Sequence, residues 1–199
     1  MKLNVPFYLQ TTSLNCGPAA LRMVISYFDK DLGIALLEKR TGIQEGKAVL
    51  TSQIAIAAAR SGYDVEFFSK HISFNEENLK LDFYKKYSDA AMRSGKTIEE
   101  ARKLGVQIGE KVLSLSELLQ KINERSIPIV LLDWNVIKGV NGYQGHFVPV
   151  VGYNDESIYV HNHGLNNPQA FFPIKKEVFE KSRKAQGTDE DILVIKKKI

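Results

Sequence analysis

The hydrophobic pattern of the chain changes period near Ile127. Before that point apolar residues recur at helical spacing; after it they gather in short β-branched and aromatic runs separated by turn residues. Ala20, Met23, Val24, Tyr27 and Phe28 predict a helix from about Cys16 to Phe28. A short helix near Ile34–Arg40 ends at Gly42, and Thr51 is placed to cap a third, "SQIAIAAARS", stopped by Gly62. "YDVEFFS" reads as a short strand. Beyond Ile127 the strands are "IPIVLLDW", "HFVPVVGY", "SIYVHN" and "DILVIKKK". Helices first and strands second specify an α+β fold rather than alternating α/β: an N-terminal helical lobe packed on a C-terminal antiparallel sheet. Pro149 lacks a ladder donor, so it predicts a bulge or a sheet edge.

The charged segment 73–112 stands apart. Ser73-x-x-Glu76 and Thr97-x-x-Glu100 both fit capping boxes, and Phe83, Tyr84, Tyr87, Ala90 and Ala91 form an apolar stripe. The pattern predicts two helices broken near Ser94-Gly95. Ser114-x-x-Glu117 then opens a further helix, "ELLQKINER". The segment reads most simply as a solvated helical pair; a lid or a partner surface fits the same residues.

With 199 residues, the chain suits a single domain, 1–199, with a real core. A net charge of +4 comes from basic and acidic residues that alternate, apart mainly from Lys175-Lys176 and Lys196 to Lys198, so no nucleic-acid stripe is expected. The single cysteine excludes an intrachain disulfide and any cysteine-rich zinc site. No apolar run approaches the ~20 residues of a membrane helix. The start, "MKLNVPFYLQ", lacks a signal core and reads as a strand. A cytoplasmic location is the expectation. Oligomeric state is not encoded legibly.

That one cysteine sits at a helix mouth. Asn15 is placed as the N-cap, which puts Cys16, Gly17 and Pro18 in the first turn, where proline is tolerated. The positive end of a helix favours thiolate over thiol, and Gly17 leaves room beside the sulfur. An inert, buried thiol fits the stretch equally well. A nucleophile needs a base, and the histidines are His71, His146, His161 and His163. His146 opens a strand after the loop "GVNGYQG"; Asn162 closes the next strand. In a hairpin the two share a face only with an odd-length loop or a bulge; a tight turn at Asp155-Glu156 would point them apart. His161 and His163 also invite a two-histidine metal reading, which lacks a third ligand unless His146 supplies it; the expectation is that they flank or shield the site. Asp133 reads as an exposed strand end and Trp134 as a residue of the lobe interface.

Gln10, then Asn15-Cys16-Gly17-Pro18-Ala19-Ala20, then His146-Phe147-Val148, Val151-Gly152-Tyr153 and Tyr159-Val160-His161-Asn162, resemble the papain-like cysteine peptidase superfamily. Within it the chain is most similar to the bacteriocin-processing, double-glycine peptidases and their stand-alone relatives. The resemblance covers nearly the whole chain, with about 73–112 as a helical insertion. It implies a papain-like fold and a thiol-dependent peptidase acting on a peptide or protein substrate, with no cofactor and no metal. Cys16 would be the nucleophile, His146 the general base, Asn162 the group that orients the imidazole, and Gln10 an oxyanion donor. The family pattern has aspartate-proline where this chain has Asn162-His163, and papain's following tryptophan is missing. The chain shows neither a transporter membrane region nor an ATPase domain, so cleavage coupled to export does not follow. The same residues fit an amidase, an acyltransferase or a non-catalytic peptide-binding module.

Overall fold

In a computed structural model, residues 1–88 and 95–198 are described. Three helices come first: α1 Cys16–Phe28, α2 Ile34–Thr41 and α3 Thr51–Arg60. Strand β1, Asp64–Ser69, follows. A 3-10 turn at Glu76–Lys80 then leads to the short helices α4, Asp82–Tyr87, and α5, Lys96–Lys103. Next come β2 Gln107–Glu110, α6 Leu115–Gln120, β3 Ser126–Asp133 and α7 Trp134–Lys138. The chain ends with β4 Gly145–Tyr153, β5 Ser157–Asn162, β6 Gln169–Lys175, α8 Lys176–Arg183 and β7 Ile192–Lys196.

The strands form one sheet in the order β2-β1-β7-β3-β4-β5-β6. Every pair is antiparallel except β1 with β2. The expected α+β class holds, but the sheet is not purely C-terminal: β1 and β2 come from between the helices. β2 lies inside 73–112, so that segment is only partly helical. Its register against β1 reads off as a parallel edge strand, which four residues of weak alternation do not announce. Ala90, Ala91 and Ser94 lie outside the described residues. β6, an aromatic run interrupted by Pro173, was also unexpected.

β3 is buried along its whole length between β7 and β4. Ile127, Ile129, Val130, Leu131 and Leu132 fill the core. Each such side chain removed from water contributes about 1.5–3 kcal/mol before entropy is charged. α1 packs on β4, and α3 on β1. Among the described residues no helix is long and apolar enough to cross a membrane.

The caps depart from expectation. Thr51 is the first residue of α3 rather than its cap; Leu50 holds that place, its N–H satisfied by Gln53 Oε1 at 2.8 Å. Asn75, not Ser73, caps the 3-10 turn through Glu77 N–H at 3.1 Å. Thr97 lies inside α5 and receives the Ser52 hydroxyl at 2.8 Å. Only Ser73 loses to a neighbouring side chain; α5 has Gly95 at its N-cap position and no side-chain cap. The box at Ser114 and Glu117 forms as expected. The N-terminal segment is held to β4 by one bridge, Lys2 to Gly152, rather than by a full strand.

Pro149 is not at an edge. It is the last β4 residue paired to β3, and from Val150 the strand pairs with β5 instead. The pairing slips by one residue between Val150↔Val160 and Gly152↔Tyr159, a β-bulge. Four residues, 154–157, lie between the paired Tyr153 and Ile158, and Asn154 Oδ1 accepts Glu156 N–H and Ser157 N–H there at 3.0 and 2.7 Å. An even loop alone would turn His146 and Asn162 apart; the bulge restores them to one face.

Candidate functional site

Five polar residues meet where α1, β4 and the end of β5 converge: Gln10, Cys16, His146, Asn162 and His163. All are buried. Asn15 makes the local geometry possible. Its Oδ1 accepts the N–H groups of Thr11 and Thr12 at 3.2 and 3.1 Å, and its amide donates to Thr11 Oγ1 and Glu38 Oε1. It therefore folds the 10–15 loop over the helix mouth instead of capping α1 by its side chain.

Cys16 begins α1. Its sulfur is met by the backbone N–H groups of Phe147 and Gly17, which favour thiolate, but burial outweighs them and pushes the thiol above its ordinary range. The expected depression of its pKa is thus absent in this resting arrangement. Gly17 serves a different purpose from the one expected: a Cβ there would lie 2.6 Å from Ile54 Cδ1 and 2.7 Å from Val49 Cγ1. The glycine lets α1 approach α3.

His146 lies edge-on to Trp134, with ring centroids 5.0 Å apart, and is tilted against His163 at 4.8 Å. Burial, then the His163 charge, hold its pKa well below the usual value, while the Asn162 side chain pulls the other way. A Cβ on Gly164 would be 3.4 Å from Asn162 Oδ1 and 3.9 Å from His146 Nε2, so both groups face one spot. Their contact is looser than a normal hydrogen bond: His146 Nε2 is buried without a partner. Asn162 Nδ2 is anchored on Asn167 O at 2.8 Å. Gln10 Nε2 donates one proton to Thr12 O at 2.8 Å, and its Oε1 is buried without a partner.

The other two buried histidines differ from each other. His161 Nδ1 accepts Phe171 N–H at 3.1 Å, so its Nε2 carries the proton, donated to Val5 O at 2.9 Å. Both nitrogens are spent, which removes this ring from the metal reading. His163 contacts two carbonyl oxygens, His161 O through Nδ1 and Cys16 O through Nε2, each at 3.0 Å. A neutral ring can donate to only one of them. Burial prevails over the two carbonyls and lowers its pKa. Gln10 N–H closes the cluster on His163 O at 3.0 Å. His163 stands in the sequence as half of a His-x-His pair expected to flank or shield the site, and its Nε2 meets the Cys16 carbonyl. His71, by contrast, lies away from this cluster, in the wall of the cavity described next.

A cavity of about 90 Å³ adjoins the sulfur. Cys16, Gly145 and Phe147 line one end, Asp189 and Asp191 belong to its wall, and Phe83, Tyr84 and Tyr143 come from or against the 73–88 segment. Asp133, expected at the surface, is buried; its Oδ1 accepts Asn135 and Gln144 N–H groups, both at 3.0 Å.

The model of the guanylylate cyclase family matches residues 5–195. The chain belongs to that family. Guanylyl cyclase 1 of Arabidopsis thaliana is 23% identical to it over 211 residues, which is 97% of this chain and 76% of the plant protein. The fold of this guanylylate cyclase family member is nonetheless that of the double-glycine peptidases. A double-glycine-motif protease of an AMS/PCAT transporter, in complex with its leader peptide, superposes with a TM-score of 0.56 at 16% identity, covering 99% of this chain and 94% of that one. The peptidase domain of Streptococcus ComA gives 0.56 at 14% identity, covering 98% and 100%. A C39-like peptidase from Bacillus anthracis gives 0.53 at 15% identity, covering 100% and 98%.

Proposed function

We propose that this family member is a thiol hydrolase of peptide bonds, with Cys16 as nucleophile, His146 as base, Asn162 orienting the ring and Gln10 stabilising the oxyanion. The observation that carries the reading is the seam itself. The only thiol meets the backbone of Phe147, immediately beside a buried histidine with one unpartnered nitrogen on the face shared with Asn162. Buried polar atoms without partners are rare, and a catalytic role is one of the few causes that account for them.

The resting pair is a neutral thiol and a neutral imidazole. In the first step the Cys16 proton passes to His146 as the sulfur attacks the substrate carbonyl. The oxyanion takes the Cys16 N–H and the second amide proton of Gln10, a donor worth about 3 kcal/mol in such sites. His146 then gives its proton to the leaving amine, and water hydrolyses the thioester by the same relay. An added amine as acceptor would make the same chemistry an acyl transfer.

The test is hydrolysis of a peptide library read by mass spectrometry, with wild type and Cys16→Ala. Cleavage that disappears in the variant supports the proposal; no cleavage, with peptide binding retained in both, makes the domain a peptide-binding module. Product analysis with added amine separates hydrolase from acyltransferase.

The family match favours a second reading, cyclisation of GTP. Among the described residues no group of three or more His, Cys, Asp or Glu side chains is arranged to hold a metal ion. A Mg²⁺ carried by a nucleoside triphosphate needs only one or two carboxylates beside the phosphates. Formation of cyclic GMP from GTP with Mg²⁺ or Mn²⁺, unaffected by Cys16→Ala, would favour this reading over the hydrolase.

A further inference from the structure

The cavity beside Cys16 is built on a row of residues across the sheet. Phe147 on β4 pairs with Leu131 on β3, and Leu131 N–H donates to Asp191 O at 3.1 Å, just before β7. Strand spacing puts Asp191 about 10 Å from Phe147, two steps of roughly 4.8 Å. All three line the cavity, with Cys16 at the Phe147 end.

The far end is polar and incomplete. Asp191 Oδ2 receives the Thr51 hydroxyl, while its Oδ1 is buried without a partner. Asn78, 2% exposed, donates Nδ2 to Asp189 Oδ2 at 2.8 Å, which fixes its amide orientation and leaves its Oδ1 buried and unpartnered. Asp189 is occupied on both oxygens, the other by Asn75 Nδ2 at 3.1 Å. Burial raises the Asp191 carboxyl to about 7, against the Ser69 and Thr51 hydroxyls, which pull it down, and with the neighbouring Asp189 charge pushing it further up. Asp189 and Glu190, at φ of 47° and 55°, hold the turn that presents Asp191 in the left-handed region, and such strain collects at ligand sites. Among the described lining residues there is no Lys or Arg; besides the two aspartates the titratable groups there are Cys16, His71, Tyr84 and Tyr143.

We propose that this cavity is a specificity pocket for a basic side chain of the peptide substrate, its stem against Phe67, Leu131 and Phe147 and its head group on Asp191 Oδ1 and Asn78 Oδ1. Two unpaired acceptors, an apolar passage and a thiol at the near end suit a lysine or arginine side chain next to the cleaved bond. The inference rests on the hydrolase reading for what the substrate is, but not for what the pocket binds.

The probe is n-butylguanidinium, compared with the uncharged n-butylurea, by ligand-observed NMR on wild type and Cys16→Ala. The cation is expected to bind both proteins alike, at least about tenfold tighter than the urea, as a charged hydrogen bond provides. Asp191→Asn should abolish that preference. Equal binding of the two probes, binding of neither, or a preference that survives in folded Asp191→Asn overturns the pocket. If Asp191→Asn does not fold, the wild-type comparison of cation with urea decides alone. Peptide hydrolysis with no cation preference would sink the pocket and leave the hydrolase standing; cation binding without hydrolysis would do the reverse.

Discussion

His161 and His146 are both buried histidines on neighbouring strands, yet their surroundings differ in kind. His161 ties three elements together: it donates to Val5 O and accepts from Phe171 N–H, so nothing on its ring is left over. His146 packs between Trp134 and His163 with Nε2 unpartnered. The corner around His161 behaves as a staple, while the buried seam around His146 and Cys16, the proposed site, leaves one ring nitrogen unpartnered. Burial is common to both; completeness of hydrogen bonding separates structure from chemistry.

The largest test of that contrast is kinetic. Cys16→Ala and His146→Ala should each lower peptide hydrolysis by at least about a thousandfold, because members of such a unit fail together. Measured by turnover, His161→Ala should leave the chemical step far less affected in whatever fraction stays folded.

Next comes stability against pH, which probes the far end of the same seam. Asp191 has its folded pKa raised to about 7. Its contribution is therefore fully present below the unfolded value of about 3.9 and lost as pH rises through about 7, a swing of up to about 4 kcal/mol. The buried histidines act with the opposite sign. Their folded pKa values are lowered, so their contribution is present above about 6.5 and lost as pH falls from there toward the folded values. Urea titrations from pH 4.5 to 8 should show wild type gaining on Asp191→Asn as pH falls; parallel curves would mean that the carboxyl is not buried as described.

His161→Ala strands Val5 O and Phe171 N–H, and should cost about 2–3 kcal/mol by denaturant titration. A loss below about 0.5 kcal/mol, the range of ordinary surface changes, would remove the distinction between staple and site. Gly17→Ala should cost about 1–3 kcal/mol by overpacking against Ile54 and Val49. If it also changes the alkylation rate of Cys16, helix position and thiol reactivity are linked. The smallest effect is spectroscopic: nitrogen shifts should report the Nε2–H form of His161 from pH 8 down to the ordinary histidine value of about 6.5, with protonation setting in only below it.

Periodicity made α1, α2, α3 and most of the sheet legible, because each buries one face and so repeats at its own period. β2 and β6 escaped it. β2 is a short edge strand whose partner, β1, is about forty residues away in the chain, and β6 carries a proline and a left-handed Phe171. The candidate residues Gln10, Cys16, His146 and Asn162 were legible as types at a spacing. Their convergence was conditional on a bulge, and no residue in "HFVPVVGY" announces at which position the pairing slips.

The sequence by itself determined the α+β class, a thiol at a helix mouth and a histidine at a strand start, since these follow from local pattern and composition. Only the tertiary structure decided that burial pushes the thiol pKa up, that Gly17 serves helix packing, and that Asp191 lines the same cavity as Cys16. Those outcomes depend on desolvation and on contacts between segments distant in the chain, and neither quantity is a property of any local stretch of residues.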